Sequence, residues 1–134
     1  MQARALKPAM AFHFATEIPV YATAQATGTA TSAELTDLDG FRLTELPWLV
    51  YPSTLRSDVD AAFSLVRSAL APLYALGVDA YRVADRADLL TADGGGLFGE
   101  TGQLEITGRG SLLRDPAWAV VSDGNLVALP TVVQ

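Results

Sequence analysis

His13 is the only histidine of the chain, and there is no cysteine. The two side chains that most often bind zinc or act near neutral pH are thereby reduced to one. A Ser–His–Asp relay is arithmetically available, yet no serine sits in the nucleophile-elbow pattern that would expose its hydroxyl. His13 is flanked by Phe12 and Phe14, a setting for a packed or surface histidine rather than a base. Asp85, Asp88 and Asp93, with Glu100, offer oxygens to a hard cation. Their spacing misses the EF-hand loop, as does Thr36-Asp37-Leu38-Asp39-Gly40, which has no acidic residue at the closing position. These aspartates read as turn formers and solvated charge. Gly94-Gly95-Gly96 lacks the Lys-Ser/Thr pair that opens a phosphate-cradling helix, and there is no dinucleotide fingerprint. The expectation is a protein with no catalytic residue, no metal and no cofactor.

The same glycine run has another use. With Leu97-Phe98 it reads as a flexible loop, 91–103, that orders on contact through an apolar tip. A formal net charge of −6 argues against general phosphate-backbone binding and specific nucleic-acid recognition. No apolar run approaches a membrane span. Lys7, Pro8, His13 and Glu17 interrupt the apolar residues near the start, so no signal peptide is expected and the chain as written is taken as mature. Half of the 134 residues are apolar, which excludes disorder and suffices for one core.

Elements follow from periodicity. Met10, Phe12 and Phe14 alternate with smaller residues, as in a strand. In residues 22–31, alanine and glycine alternate with threonine and glutamine, predicting an extended arm, to about residue 33, or a flexible loop. Asp39-Gly40 predicts a tight hairpin with Asp37 opposite Arg42. Residues 46–51 read as an apolar strand. The principal helix is expected over 57–76, capped by Ser57, with Val59, Phe63, Val66, Leu70 and Leu73 as its buried stripe. Pro72 should kink or split it, and Gly77 should end it. Residues 78–83 then form a strand, giving a strand–helix–strand crossover; 82–90 fits strand or helical turn. Leu104 and Ile106 around Glu105 mark a half-buried strand, and Asp115-Pro116 a turn.

The closing segment 118–129 is the clearest hairpin. Asp123-Gly124 suits a two-residue type I′ turn, setting Ser122 opposite Asn125, Val121 opposite Leu126 and Trp118 opposite Leu129. One face carries Trp118, Val120, Val127 and Leu129; the other carries Ala119, Val121, Leu126 and Ala128. Neither is polar, so the pair is either two-sided core or covered by another chain. Together these elements predict a single α+β domain over 1–134, mainly antiparallel sheet with hairpins, packed on one principal helix.

Over residues 41–113 the order of elements resembles the tail terminator proteins of long-tailed bacteriophages. A strand (41–51), an acidic-capped helix with interior Pro72, a short strand (78–83), a glycine-plus-aromatic loop (94–98) and an apolar strand (103–108) carry the likeness. The aromatic opening, the Ala/Thr arm and the closing hairpin depart from it, which leaves open a different virion component such as a head–tail connector or minor tail protein. The resemblance implies a ring-forming, non-enzymatic virion component, assembled in the host cytoplasm from copies of itself and neighbouring virion proteins, without membrane. Its contacts would be Thr23, Thr27 and Thr29 of the arm, the Leu97-Phe98 tip, and Trp118, Val120, Leu126 and Leu129 of the hairpin. The alternative is a small-ligand binding module, or an accessory subunit of an enzyme, with its pocket on the Phe63/Val66/Leu70 helix face. An enzyme built on His13 or the aspartate group ranks third.

Overall fold

The computed structural model describes residues 2–28, 30–63, 69–92 and 96–130. Helices and largely antiparallel strands make an α+β fold, as expected, but they form two compact units. One comprises Met1–Glu45 with Trp118–Gln134, the other Leu46–Ala117.

In the first unit the opening segment is helix α1 (Gln2–Phe12), not an aromatic strand. Period-2 apolar residues over so short a run do not separate strand from helix, and Ala3, Ala5, Ala9 and Ala11 favour the helix. The helix ends with Phe14 at φ 56, where Phe14 N–H donates to Ala11 O and Ala15 N–H donates to Met10 O. That is a Schellman closure with phenylalanine where glycine is usual. Arg4 reaches Glu34 at 2.8 Å.

The described residues of 22–33 are folded rather than extended. Strand β1 (Tyr21–Thr23) runs parallel to β2 (Arg42–Glu45). A 3-10 turn (Ala24–Ala26) and helix α2 (Ser32–Leu35) follow β1. Thr31 and Glu34 form a reciprocal capping box at the start of α2. Asp39-Gly40 is a tight turn, with Phe41 N–H donating to Leu38 O, but it joins a 3-10 turn to β2 instead of closing a hairpin. Arg42 accordingly meets the Tyr21 hydroxyl at 3.1 Å. The closing hairpin forms in the expected register between β6 (Ala117–Ser122) and β7 (Asn125–Ala128). Asp123 (φ 50) and Gly124 (φ 71) supply its two left-handed turn residues. The sheet order is β1-β2-β6-β7, counting β3 to β5 in the other unit. Its core is Leu35, Leu38, Phe41, Leu43 and Val121.

In the second unit, residues 46–51 hold helix α3 (Pro47–Val50), because Pro47 fits a first helical turn. The principal helix divides into α4 (Thr54–Phe63) and α5 (Ala71–Ala92), with Pro72 in the first turn of α5. Ser53, not Ser57, caps α4, accepting from Arg56 N–H at 3.1 Å. Gly77 and residues 78–83 lie inside α5, so there is no crossover strand there. Ala71, Ala75 and Asp79 recur every fourth residue and are its buried side, packed in part on Trp48. Phe63, Leu70 and Leu73, expected in the core, are exposed, and Val66 lies outside the described residues. Strands β3 (Leu97–Phe98), β4 (Gln103–Ile106) and β5 (Leu112–Asp115) form an antiparallel meander.

Candidate interaction surfaces

Three features of the described residues invite contact. In the first unit, the sheet has one dry and one open side. Ala119 and Val121 are fully buried, with Leu126 packed against the core, whereas Trp118 and Val127 are exposed and Val120 and Leu129 half-buried. Period-2 alternation along β6 produces that split. The Trp118 ring stands edge-on to Tyr21 at 6.0 Å, and the Arg42 guanidinium lies 5.8 Å from the centre of that tyrosine ring.

In the second unit, an apolar groove of about 760 Å³ runs along the outer side of α5. Leu70, Leu73, Tyr74, Val78 and Tyr81 form most of its wall, with Arg82 at its polar end. Gly77 widens it, since a Cβ there would meet nothing within 4 Å.

The third feature is the β3–β4 turn. Gly99 N–H donates to Gly102 O at 2.9 Å. The nearly wholly buried Asp79 carboxylate accepts from Glu100 N–H, Thr101 N–H and the Thr101 hydroxyl, each at 2.7 Å. Arg82 pairs with Glu100 at 3.1 Å, and the Trp48 backbone N–H donates to Glu100 O at 3.0 Å. Phe98, just before this turn, is 63% exposed. Asp79 escaped the sequence reading because residues 78–83 resemble a strand; the signal was a lone carboxylate within an apolar run, followed downstream by Gly99-Glu100-Thr101-Gly102.

The expected contact residues are distributed unevenly. Thr23 is exposed at the end of β1, while Thr27 is buried with its hydroxyl within hydrogen-bond distance of Ala24 O (2.8 Å) and Glu45 (3.1 Å). Thr27 therefore serves the interior. Thr29 lies outside the described residues. Leu97 is half-buried opposite Leu104, and Phe98 faces Gln103 beside the Tyr51 ring at 6.2 Å. Among the described residues no group of His, Asp and Glu is placed to hold a metal, and no helix is long and apolar enough to cross a membrane. Asp93, Gly94 and Gly95 lie outside them. His13 is exposed, edge-on to Phe12 at 5.1 Å.

A family profile described as "LppC putative lipoprotein" matches residues 1–124. No curated protein matches the chain. Among solved structures, full-length LpoA of Haemophilus influenzae superposes with a TM-score of 0.75 at 22% identity, covering 96% of this chain and 24% of that one. The C-domain of the same LpoA, a regulator of PBP1A, gives 0.73 at 20% identity over 95% of this chain and 41% of its own length. A "putative branched-chain amino acid ABC transporter" of Chromobacterium violaceum gives 0.67 at 31% identity, over 89% and 38%. The chain thus spans from about a quarter to two-fifths of the length of these neighbours.

These findings overturn the phage reading in each of its parts: the tail terminator likeness, the ring of identical copies, the virion neighbours and the virion location. The family is described as one of lipoproteins, not of virion components. The likeness failed because it rested on element order alone: 41–51 is a short strand followed by a helical turn, and 78–83 lies inside a helix. The expectation of a protein that is not an enzyme agrees with the family and with its regulator neighbour.

Proposed function

This chain belongs to the LppC lipoprotein family, and we propose from that premise that it is a contact module of the bacterial envelope, regulating a cell-wall synthase of the PBP1A type. The family match carries the reading, and the regulator neighbour supplies the partner class. The exposed apolar surfaces around Trp118 and Phe98 support it, since such patches commonly mark protein contacts. The 134 residues hold no cysteine, so no thiol of theirs carries a lipid.

The test is the glycan-polymerising rate of the purified synthase with increasing amounts of this protein. A saturable change in rate is expected; an unchanged rate at saturating protein contradicts the proposal.

A small-ligand reading draws on the 31% identity to the transporter protein. A free amino acid needs a cation for its carboxylate and an anion for its ammonium. The α5 groove offers Arg82, already engaged by Glu100 and close to Asp79, and presents an otherwise apolar wall with tyrosine hydroxyls. That composition favours the protein-contact reading.

A further inference from the structure

We propose that Phe98 is the anchor with which the protein enters an apolar pocket of its protein partner, and that Asp79 is the positioning residue that holds it ready. The inference rests on the contact function proposed above. Phe98 is 63% exposed, an expensive place for a benzyl group unless something covers it. An exposed phenylalanine alone would mean little. What sets this one apart is the base on which it stands.

The turn that follows Phe98 is bolted to α5. Three hydrogen bonds converge on one buried carboxylate, and a fourth ties Glu100 O to the Trp48 backbone N–H. Burying a carboxylate is unfavourable unless its hydrogen bonds are made, and a short turn closes without one. Side chains have been excluded to bring the parts together. A Cβ at Gly99 would lie 2.6 to 2.8 Å from the Asp79 carboxylate, and one at Gly102 would lie 2.5 Å from Asp115 O. Two glycines, a threonine and a buried aspartate therefore fix a turn whose outward product is an aromatic ring.

With the backbone beside the ring fixed in this way, binding has only the side-chain torsions of Phe98 left to order, which is how a few aromatic residues on rigid supports come to dominate an interface. Tyr51 backs it at 6.2 Å. The charge next to it in the turn, Glu100, is paired with Arg82, so the ring suits an apolar pocket rather than a basic surface.

The test measures binding of the whole protein to an immobilised PBP1A-type synthase by biolayer interferometry. The parent should bind saturably, and Phe98→Ala should bind at least about tenfold more weakly with an unchanged melting curve. Leu113→Ala, also exposed in the same sheet, should bind like the parent. Asp79→Asn should weaken binding through faster dissociation, and this loss should vanish in the Phe98→Ala background, because the aspartate acts through the ring. Failure of the parent to bind overturns the functional reading and the anchor with it. A parent that binds with Phe98→Ala unchanged overturns the anchor alone, and should Asp79→Asn not fold, Phe98→Ala decides.

Discussion

Asp79 shows how much one side chain can carry. Its carboxylate is the common acceptor for two backbone N–H groups and a hydroxyl, all in a buried setting. Asp79→Ala strands two N–H donors, at least one of them buried, and should cost about 2 to 4 kcal/mol, read as a lower urea midpoint. Glu34 illustrates the surface counterpart. The Thr31 backbone N–H, then the Arg4 guanidinium and the Thr31 hydroxyl, lower its pKa from 4.5 to about 2. A lowered folded-state pKa means stability that is full above 4.5 and is lost as pH falls towards 2. Glu34→Gln should therefore lower the melting temperature modestly at pH 7 and flatten its change across that window, parent and variant converging as pH approaches 2. Trp48 carries the reverse signature: among the described residues its buried indole N–H has no acceptor. Trp48→Phe gives up packing but removes that unmet donor, so it should cost less than the roughly 3 to 5 kcal/mol of Trp48→Ala.

At the scale of elements, turns were legible and short apolar runs were not. Asp123-Gly124 determines its own geometry, because few residue pairs accept two consecutive left-handed conformations, and the whole β6–β7 register follows from it. The turn is also locked from outside. Asp39 accepts from Asp123 N–H at 2.8 Å, and a Cβ at Gly124 would collide with the Ser32 carbonyl. Gly124→Ala should then destabilise by about 2 kcal/mol, more than the conformational term alone. At the end of α1 the sign reverses. Phe14 holds a left-handed conformation with its side chain 96% exposed, so Phe14→Gly should stabilise by about 1 kcal/mol in urea titration. The stretches misread were 10–14, 46–51 and 78–83, each short and each compatible with both periods. The buried side of α5 was hidden for a different reason. Its repeating residues, Ala71, Ala75 and Asp79, are small or charged, while the larger Leu70, Leu73 and Tyr81 face outward.

For the whole molecule, composition offers few groups for catalysis or metal binding, and the α+β class could be read from turns and alternation. Two compact units could not, since the return of β6 and β7 to the sheet of β1 and β2 is a contact across more than seventy residues, beyond the reach of local pattern. Family membership was equally invisible to element order, because no residue-specific motif supported it. Of the contact residues expected from sequence, Phe98 and Trp118 are exposed, and Thr27 is spent on the interior. The central claim is contact with a cell-wall synthase, and calorimetric titration of this protein into a purified PBP1A-type synthase tests it most directly. A saturable one-to-one heat, with none from leucine, isoleucine or valine under the same conditions, is the result expected. Saturable heat from one of those amino acids and none from the synthase would contradict the account.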